Sequence, residues 1–238
     1  WGSYNRYIGA GAVAAGGIIS LIKTFPTMIR TFSKAIKGFG KNVAGGERTQ
    51  QDISLRTVLI GIIVVAIVMW LVPVIPISPL GAVIIVIFGF FFATVSSRMV
   101  GIVGSSNNPV SGMAIATLII TTFVFKASGM TGIQGMVGAI TVGTVICIIA
   151  AIAGDTSQDL KCGYIVGATP KLQQIGEILG TVVAALAIGG VMYLLNAAWG
   201  FGSEMIPAPQ ASLMKMVVEG VMGGTLPWTL IFLSLIHI

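Results

Sequence analysis

Long apolar runs separated by short polar breaks organise this chain. Seven stretches reach or approach the roughly 20 apolar residues a helix needs to cross a bilayer. They are Tyr7–Ile22, Thr57–Pro76, Pro79–Ser97, Val110–Phe125, Thr131–Ala153, Ile175–Ala198 and Pro227–Leu235, the last cut short. Lipid offers no partner to a free backbone N–H or C=O, so regular helices are the default for such runs. The pattern predicts an all-α polytopic membrane protein, a bundle of about seven transmembrane helices joined by polar helix breaks. The first run is almost wholly small residues, with Gly9, Val13 and Gly17 on one face. Small residues let backbones approach, which predicts a helix buried among others. Residues 25–41 follow another rhythm. Phe25, Ile29, Phe32, Ile36 and Phe39 repeat every three or four positions, with Arg30, Lys34, Lys37 and Lys41 opposite. That is the pattern of a basic amphipathic helix lying in the membrane interface. A polar loop is expected over 42–56.

Composition narrows the class. Of 238 residues, 55% are hydrophobic and only 8% charged, against about 25% charged in soluble domains. So few charges cannot cover a water-facing surface, which excludes a soluble enzyme. The high apolar content excludes intrinsic disorder. Net charge is +6, and residues 23–56 hold seven basic against two acidic side chains, nearly the whole excess. A basic loop between apolar spans marks a cytoplasmic side rather than nucleic-acid binding. With that loop cytoplasmic, Ser96–Asn108 and Gly154–Gln174 fall on the same side, and 200–226 sits outside or dips back into the membrane. Cys147 and Cys162 form no disulfide framework. The chain lacks an initiator Met and stops within an apolar run, so residues 1–238 are expected to be one transmembrane piece of a longer protein. Residues 233–238 resemble the translated frame of a sequencing adaptor and are expected to be non-native.

Four polar breaks could carry chemistry. Gly104–Gly112 supplies Ser105, Ser106, Asn107, Asn108 and Ser111. Its structural reading is a helix start, with Asn108 as N-cap and Pro109 at the first helical position. A helix N-terminus aimed at a cavity would also hold a carboxylate or a polar solute. Gly154–Tyr164 reads as a solvated turn in which Thr156 and Asp159 have capping-box form. Its carboxylates, Asp155 and Asp159, are candidates for taking up and releasing a proton. In Gly167–Glu177, Thr169 and Pro170 open a helix, and Gln173, Gln174 and Glu177 share a face. Glu177 suits a helix N-terminus and is a third carboxylate candidate. In Pro207–Gly220, Gln210 is a candidate solute contact. No zinc-protease, nucleophile-elbow or phosphate-loop motif is present, and one His with two Cys cannot build a Cys/His metal site. Neither an enzyme nor a bound cofactor is expected.

Four stretches together resemble the oligopeptide transporter (OPT) family, which includes the yellow stripe-like metal-chelate carriers. They are Arg6–Gly17, Gly104–Gly112, Gly154–Pro170, and Pro207–Ala211 with Gly223–Trp228. They occur in the family's order, and the aspartate-containing stretch is the most specific. Cys162 departs from the small hydroxyl residue more usual there. The resemblance implies a multi-pass secondary transporter in the plasma membrane, with many more helices than these. It also implies proton-coupled import of short oligopeptides or of metal ions held by an amino-acid-like chelator. On that reading Ser105, Ser106, Asn107, Asn108, Ser111 and Gln210 contact solute, and Asp155, Asp159 or Glu177 couples protons. The expected partners are the solute, protons, lipid and the remaining helices of the full-length transporter. A passive channel and a scaffold subunit of a membrane complex are the alternatives.

Overall fold

The structure is a computed structural model. It describes residues 47–73 and 75–224, with Ile19, Ile22, Pro26, Ile29, Arg30 and Ser33 as isolated helical positions. Apart from those positions, the expected first span and the interfacial helix at 25–41 lie outside the described residues. So do residues 42–46, the last span and the tail at 233–238.

Over the described residues from 47 to 224 there are six α-helices, two single 3-10 turns and no strands. The helices are α1 (Leu55–Leu71), α2 (Pro79–Val103), α3 (Val110–Ala127), α4 (Gly132–Val166), α5 (Pro170–Ala198) and α6 (Pro209–Gly223). Five stretches are long and apolar enough to cross a bilayer: Arg48–Leu71, Pro79–Val103, Val110–Ala127, Gly132–Val166 and Pro170–Ala198. The chain is thus an all-α polytopic membrane protein. The Ser54 and Ser78 side chains accept from the Thr57 and Gly81 N–H groups and start α1 and α2. Helix α1 stops at Leu71, ahead of Pro73, because a proline disfavours helical geometry in the residue before it.

Helix α4 corrects one expectation. Gly154–Tyr164 reads as a solvated turn, yet α4 runs unbroken for 35 residues to Val166. Thr156 and Asp159 are therefore mid-helix, not a capping box. The turn is confined to 167–169, where Gly167 takes φ 74°. At about 1.5 Å per residue, α4 is roughly 52 Å long. That exceeds the ~30 Å hydrocarbon thickness, so α4 is longer than a single upright crossing requires.

The core is α2, α3 and α4. Contact pairs fix their directions: Gly81 meets Val142 and Gly89 meets Ile149, so α2 and α4 run parallel. Phe125 meets Gly138 and Leu118 meets Gly143, so α3 runs antiparallel to α4. A Cβ at Gly138 would lie 3.2 Å from the Phe125 ring, and one at Gly143 3.0 Å from Leu118 Cδ1. These glycines let the helices close up, which matters in lipid because dispersion packing replaces water expulsion as the driving force. Phe92, Val95, Phe125, Val142 and Ile146 are fully buried between them. The rings of Phe88, Phe91 and Phe92 cluster with centroids 5.5–6.3 Å apart.

One end of this bundle gathers residues 48–54, 104–109 and 155–174, and is called here the polar end. Arg48 donates to the Gly167 carbonyl (2.7 Å), and the Lys171 N–H to the Gln51 carbonyl (2.8 Å). The Ile53 N–H donates to Gln174 Oε1 (3.0 Å), whose Nε2 reaches Asp52 (3.2 Å). The start of α1 is thereby tied to the start of α5. Helices α1 and α5 bury no residue at all. Their apolar surfaces suit lipid or further helices of the full-length protein.

Helix α6 packs on α3 and α4, with Val217 and Val218 against Leu118, the middle residue of α3. Lys126 donates to the Val221 carbonyl (2.8 Å) and so fixes the C-terminus of α6 at the far end of the bundle. Pro209 begins 12 residues, about 18 Å, before Val221. Helix α6 therefore runs alongside the bilayer-length helix α3 and is packed against protein.

Candidate functional site

The break between α2 and α3 is the best-defined polar feature. Gly104, at φ 79°, ends α2, Ser105–Asn107 make one 3-10 turn, and α3 begins at Val110. Asn108 is not the helix cap that its sequence context suggests. Pro109 holds that position, and no side chain caps the helix. The first N–H groups are consumed locally. Val110 donates to the Asn108 carbonyl (2.7 Å), and Gly112 and Met113 to the Pro109 carbonyl (3.1 and 3.3 Å). A carboxylate would find few donors there.

Instead, the break is docked sideways on α4. Asn108 Nδ2 donates to Ser96 Oγ (2.5 Å) and leans toward the Ala150 carbonyl (3.4 Å). Ser96, fully buried in α2, donates to the same Ala150 carbonyl. Gly154 permits this approach. A Cβ there would stand 2.7 Å from Asn108 Nδ2, 2.8 Å from Val100 Cγ2 and 2.9 Å from Ser96 Oγ. The Ser105 N–H donates to Gln158 Oε1 (2.9 Å), and the hydroxyls of Ser97 and Ser157 are 2.6 Å apart. Asn108 Oδ1 is enclosed and has no hydrogen-bond partner. A buried carbonyl left unpaired costs about 1–3 kcal/mol, so it favours whatever brings an N–H, O–H or ammonium group to it.

The other candidates sit as follows. Ser106, Asn107 and Ser111 are exposed around the break, and the Asn107 amide donates to the Val103 carbonyl (3.3 Å). Asp155 and Asp159 are exposed on α4. One helical residue turns by about 100°, so Asp155 and Asp159 lie about 100° and 140° around α4 from Gly154. That is the side facing α5, where Gln173 Nε2 donates to the Asp159 carbonyl (2.6 Å) and packs against Gly163. Glu177 lies one turn further along α5, half-buried, with Oε1 enclosed and unpaired. Gln210 is exposed in the first turn of α6, on a separate element. Thus α4 presents the break on one face and the carboxylates on another. Ser96, Ser157 and Gln158 escaped the sequence reading. The one available signal was the polar triple Ser96-Ser97-Arg98 closing an apolar run. Among the described residues no group of His, Cys, Asp and Glu could hold a metal ion.

The profile of the family described as "OPT oligopeptide transporter protein" matches residues 1–238, the whole chain. The chain belongs to the OPT family. A "Putative oligopeptide transporter" of Haemophilus influenzae is 33% identical over 97% of the chain and 42% of that protein. A "Probable metal-nicotianamine transporter YSL5" of Arabidopsis thaliana is 31% identical over 37% of the chain and 13% of that protein. A "Putative oligopeptide transporter" of Saccharomyces cerevisiae is 28% identical over 64% of the chain and 21% of that protein. No solved structure matches. The chain spans less than half the length of these OPT relatives. OPT relatives are transporters and not enzymes, and with five bilayer-length helices the chain is part of a multi-pass integral membrane protein.

Proposed function

We propose that the full-length protein is a proton-coupled secondary transporter that imports short oligopeptides or metal-chelate complexes across the cytoplasmic membrane. The observation that carries this reading is the interrupted helix pair α2–α3. Its serines and asparagines stand at a bilayer-length bundle's polar end, with an unsatisfied acceptor in Asn108. Peptides and amino-acid-like chelates both carry amines and amide N–H groups, the donors that Asn108 Oδ1 lacks. OPT membership supports transport, and the relatives' names supply the two substrate classes. Ser105, Ser106, Asn107, Asn108 and Ser111 meet the solute. Gln210, at the start of α6, is a contact from a second element. The basic segment up to Arg56 supports a cytoplasmic polar end.

Asp155, Asp159 and Glu177 are the proton-coupling candidates. They flank the α4–α5 packing, and Glu177 is the one carboxylate of α5, half-buried where its apolar run begins. Carboxylates in such positions bind or release a proton as their surroundings open and close. Uptake of tetraalanine, and separately of a nickel–nicotianamine chelate, into proteoliposomes tests the reading. An inside-alkaline pH gradient should drive accumulation of at least one probe. Asp155→Asn should leave downhill flux while abolishing the dependence on the gradient. Equilibration without accumulation in the wild-type protein would instead identify a passive channel.

A further inference from the structure

Helix α4 carries a strip of residues that have no role in meeting solute or holding a proton, yet they are the scaffold on which the break is built. Ala150, Gly154, Ser157 and Gln158 fall within about 100° of one another around the helix. Each meets the break or the end of α2. The Ala150 carbonyl accepts from Ser96 and from Asn108. Gly154 leaves room for the Asn108 amide, Ser157 meets Ser97, and Gln158 accepts from the Ser105 N–H. The break is otherwise poorly held, because a single 3-10 turn makes few bonds of its own and α3 has no side-chain cap. Gln158 is exposed and contributes nothing to the packed core, which leaves its bond to Ser105 as its structural work.

We infer that Gln158, with Ser157, is a positioning residue that sets the conformation of the 104–109 break and thereby the affinity for solute. The same helix displays Asp155 and Asp159 on its α5 side. A small rotation of α4 would move the docking strip and the carboxylates together, so this one element links the break to the proton-coupling face. The inference rests on the reading of the break as the place where solute is met.

The experiment uses the full-length transporter with Gln158→Leu, Gln158→Glu and Ser157→Ala. Hydrogen exchange is the first readout and requires no substrate. Gln158→Leu should raise exchange at Ser105–Asn108 about 10-fold and leave the core of α3 at 113–125 unchanged, while Gln158→Glu, whose carboxylate still accepts from Ser105, restores protection. The second readout is uptake of tetraalanine and of nickel–nicotianamine. Gln158→Leu should raise KM about 5–10-fold, the worth of one lost hydrogen bond, at unchanged maximal rate, with rescue by Gln158→Glu. Exchange that is unchanged at the break, or raised throughout α3, overturns the inference. So does a KM equal to wild type in Gln158→Leu when Asn107→Ala and Asn108→Ala raise it. If those two asparagine variants also leave KM untouched, the reading of the break as the solute site falls with it.

Discussion

Gly154→Ala is the sharpest perturbation that this geometry offers. The new methyl would lie 2.7–2.9 Å from three atoms on two different segments: Asn108 Nδ2, Val100 Cγ2 and Ser96 Oγ. Each distance falls about 0.5–1 Å short of an ordinary contact. None of the three can swing away freely, because Ser96 is tied to Ala150, Asn108 is tied to Ser96, and Val100 is buried. The strain must push α2 and the break off α4. Overpacking of this kind costs about 1–3 kcal/mol. Parting the Asn108–Ser96 pair inside an enclosed site costs about 1–3 kcal/mol more. The better helix propensity of alanine returns about 0.5–1 kcal/mol. The net expectation is a loss of about 2–4 kcal/mol, or a melting midpoint lowered by about 2–4 °C in a protein more than twice the length of this chain. Gly101→Ala is the control. It lies on α2 with nothing within 4 Å of its Cβ position, so it should melt at or slightly above wild type. Thermal unfolding of the purified full-length protein in detergent, followed by tryptophan fluorescence, measures both. Equal midpoints for the two variants would refute the reasoning that the break is docked on α4 through Gly154.

Other consequences are as direct. Lys126→Met should free the C-terminus of α6, costing about 1–2 kcal/mol for the lost charged hydrogen bond to Val221, and should raise labelling of a cysteine placed at Gln210. Phe92→Ala should cost about 3–5 kcal/mol, because its ring is fully buried among α2–α4. Gln174→Ala should raise hydrogen exchange over 51–54 while changing the melting midpoint by less than about 1 °C, since it severs a half-buried polar tie at the edge of the bundle and removes no core packing.

Much of the fold could be read from the chain because a bilayer imposes one requirement on every span. Val110–Phe125 and Pro79–Ser97 were recognisable as apolar runs of near-spanning length, and their helices start where the runs start. The continuation of α4 was not legible. Gly154, Asp155, Thr156 and Ser157 are turn formers in water, where their side chains compete with the backbone. Here Ser157 bonds back to the Ala153 carbonyl (2.6 Å) and meets Ser97 sideways, and Gln158 reaches Ser105. Tertiary partners thus satisfy the groups that would otherwise break the helix. The glycine that reads as a breaker serves close approach. Asn108 misled for the same reason, since its amide is taken by Ser96 rather than by the backbone of α3. That the break matters was visible from its five hydrogen-bonding side chains. That α4 turns the carboxylates to a different face needs the unbroken helix, which sequence spacing did not reveal.

The central claim is that transported solute meets the break between α2 and α3. Its most direct test is solute protection of a cysteine at Ser106 in the full-length protein with Cys147 and Cys162 replaced by serine. Modification by a membrane-impermeant maleimide should proceed in the free transporter and slow several-fold in saturating tetraalanine or nickel–nicotianamine, whichever the protein accumulates. A labelling rate that the accumulated solute leaves unchanged, with the same solute protecting a site elsewhere in the chain, would contradict the account.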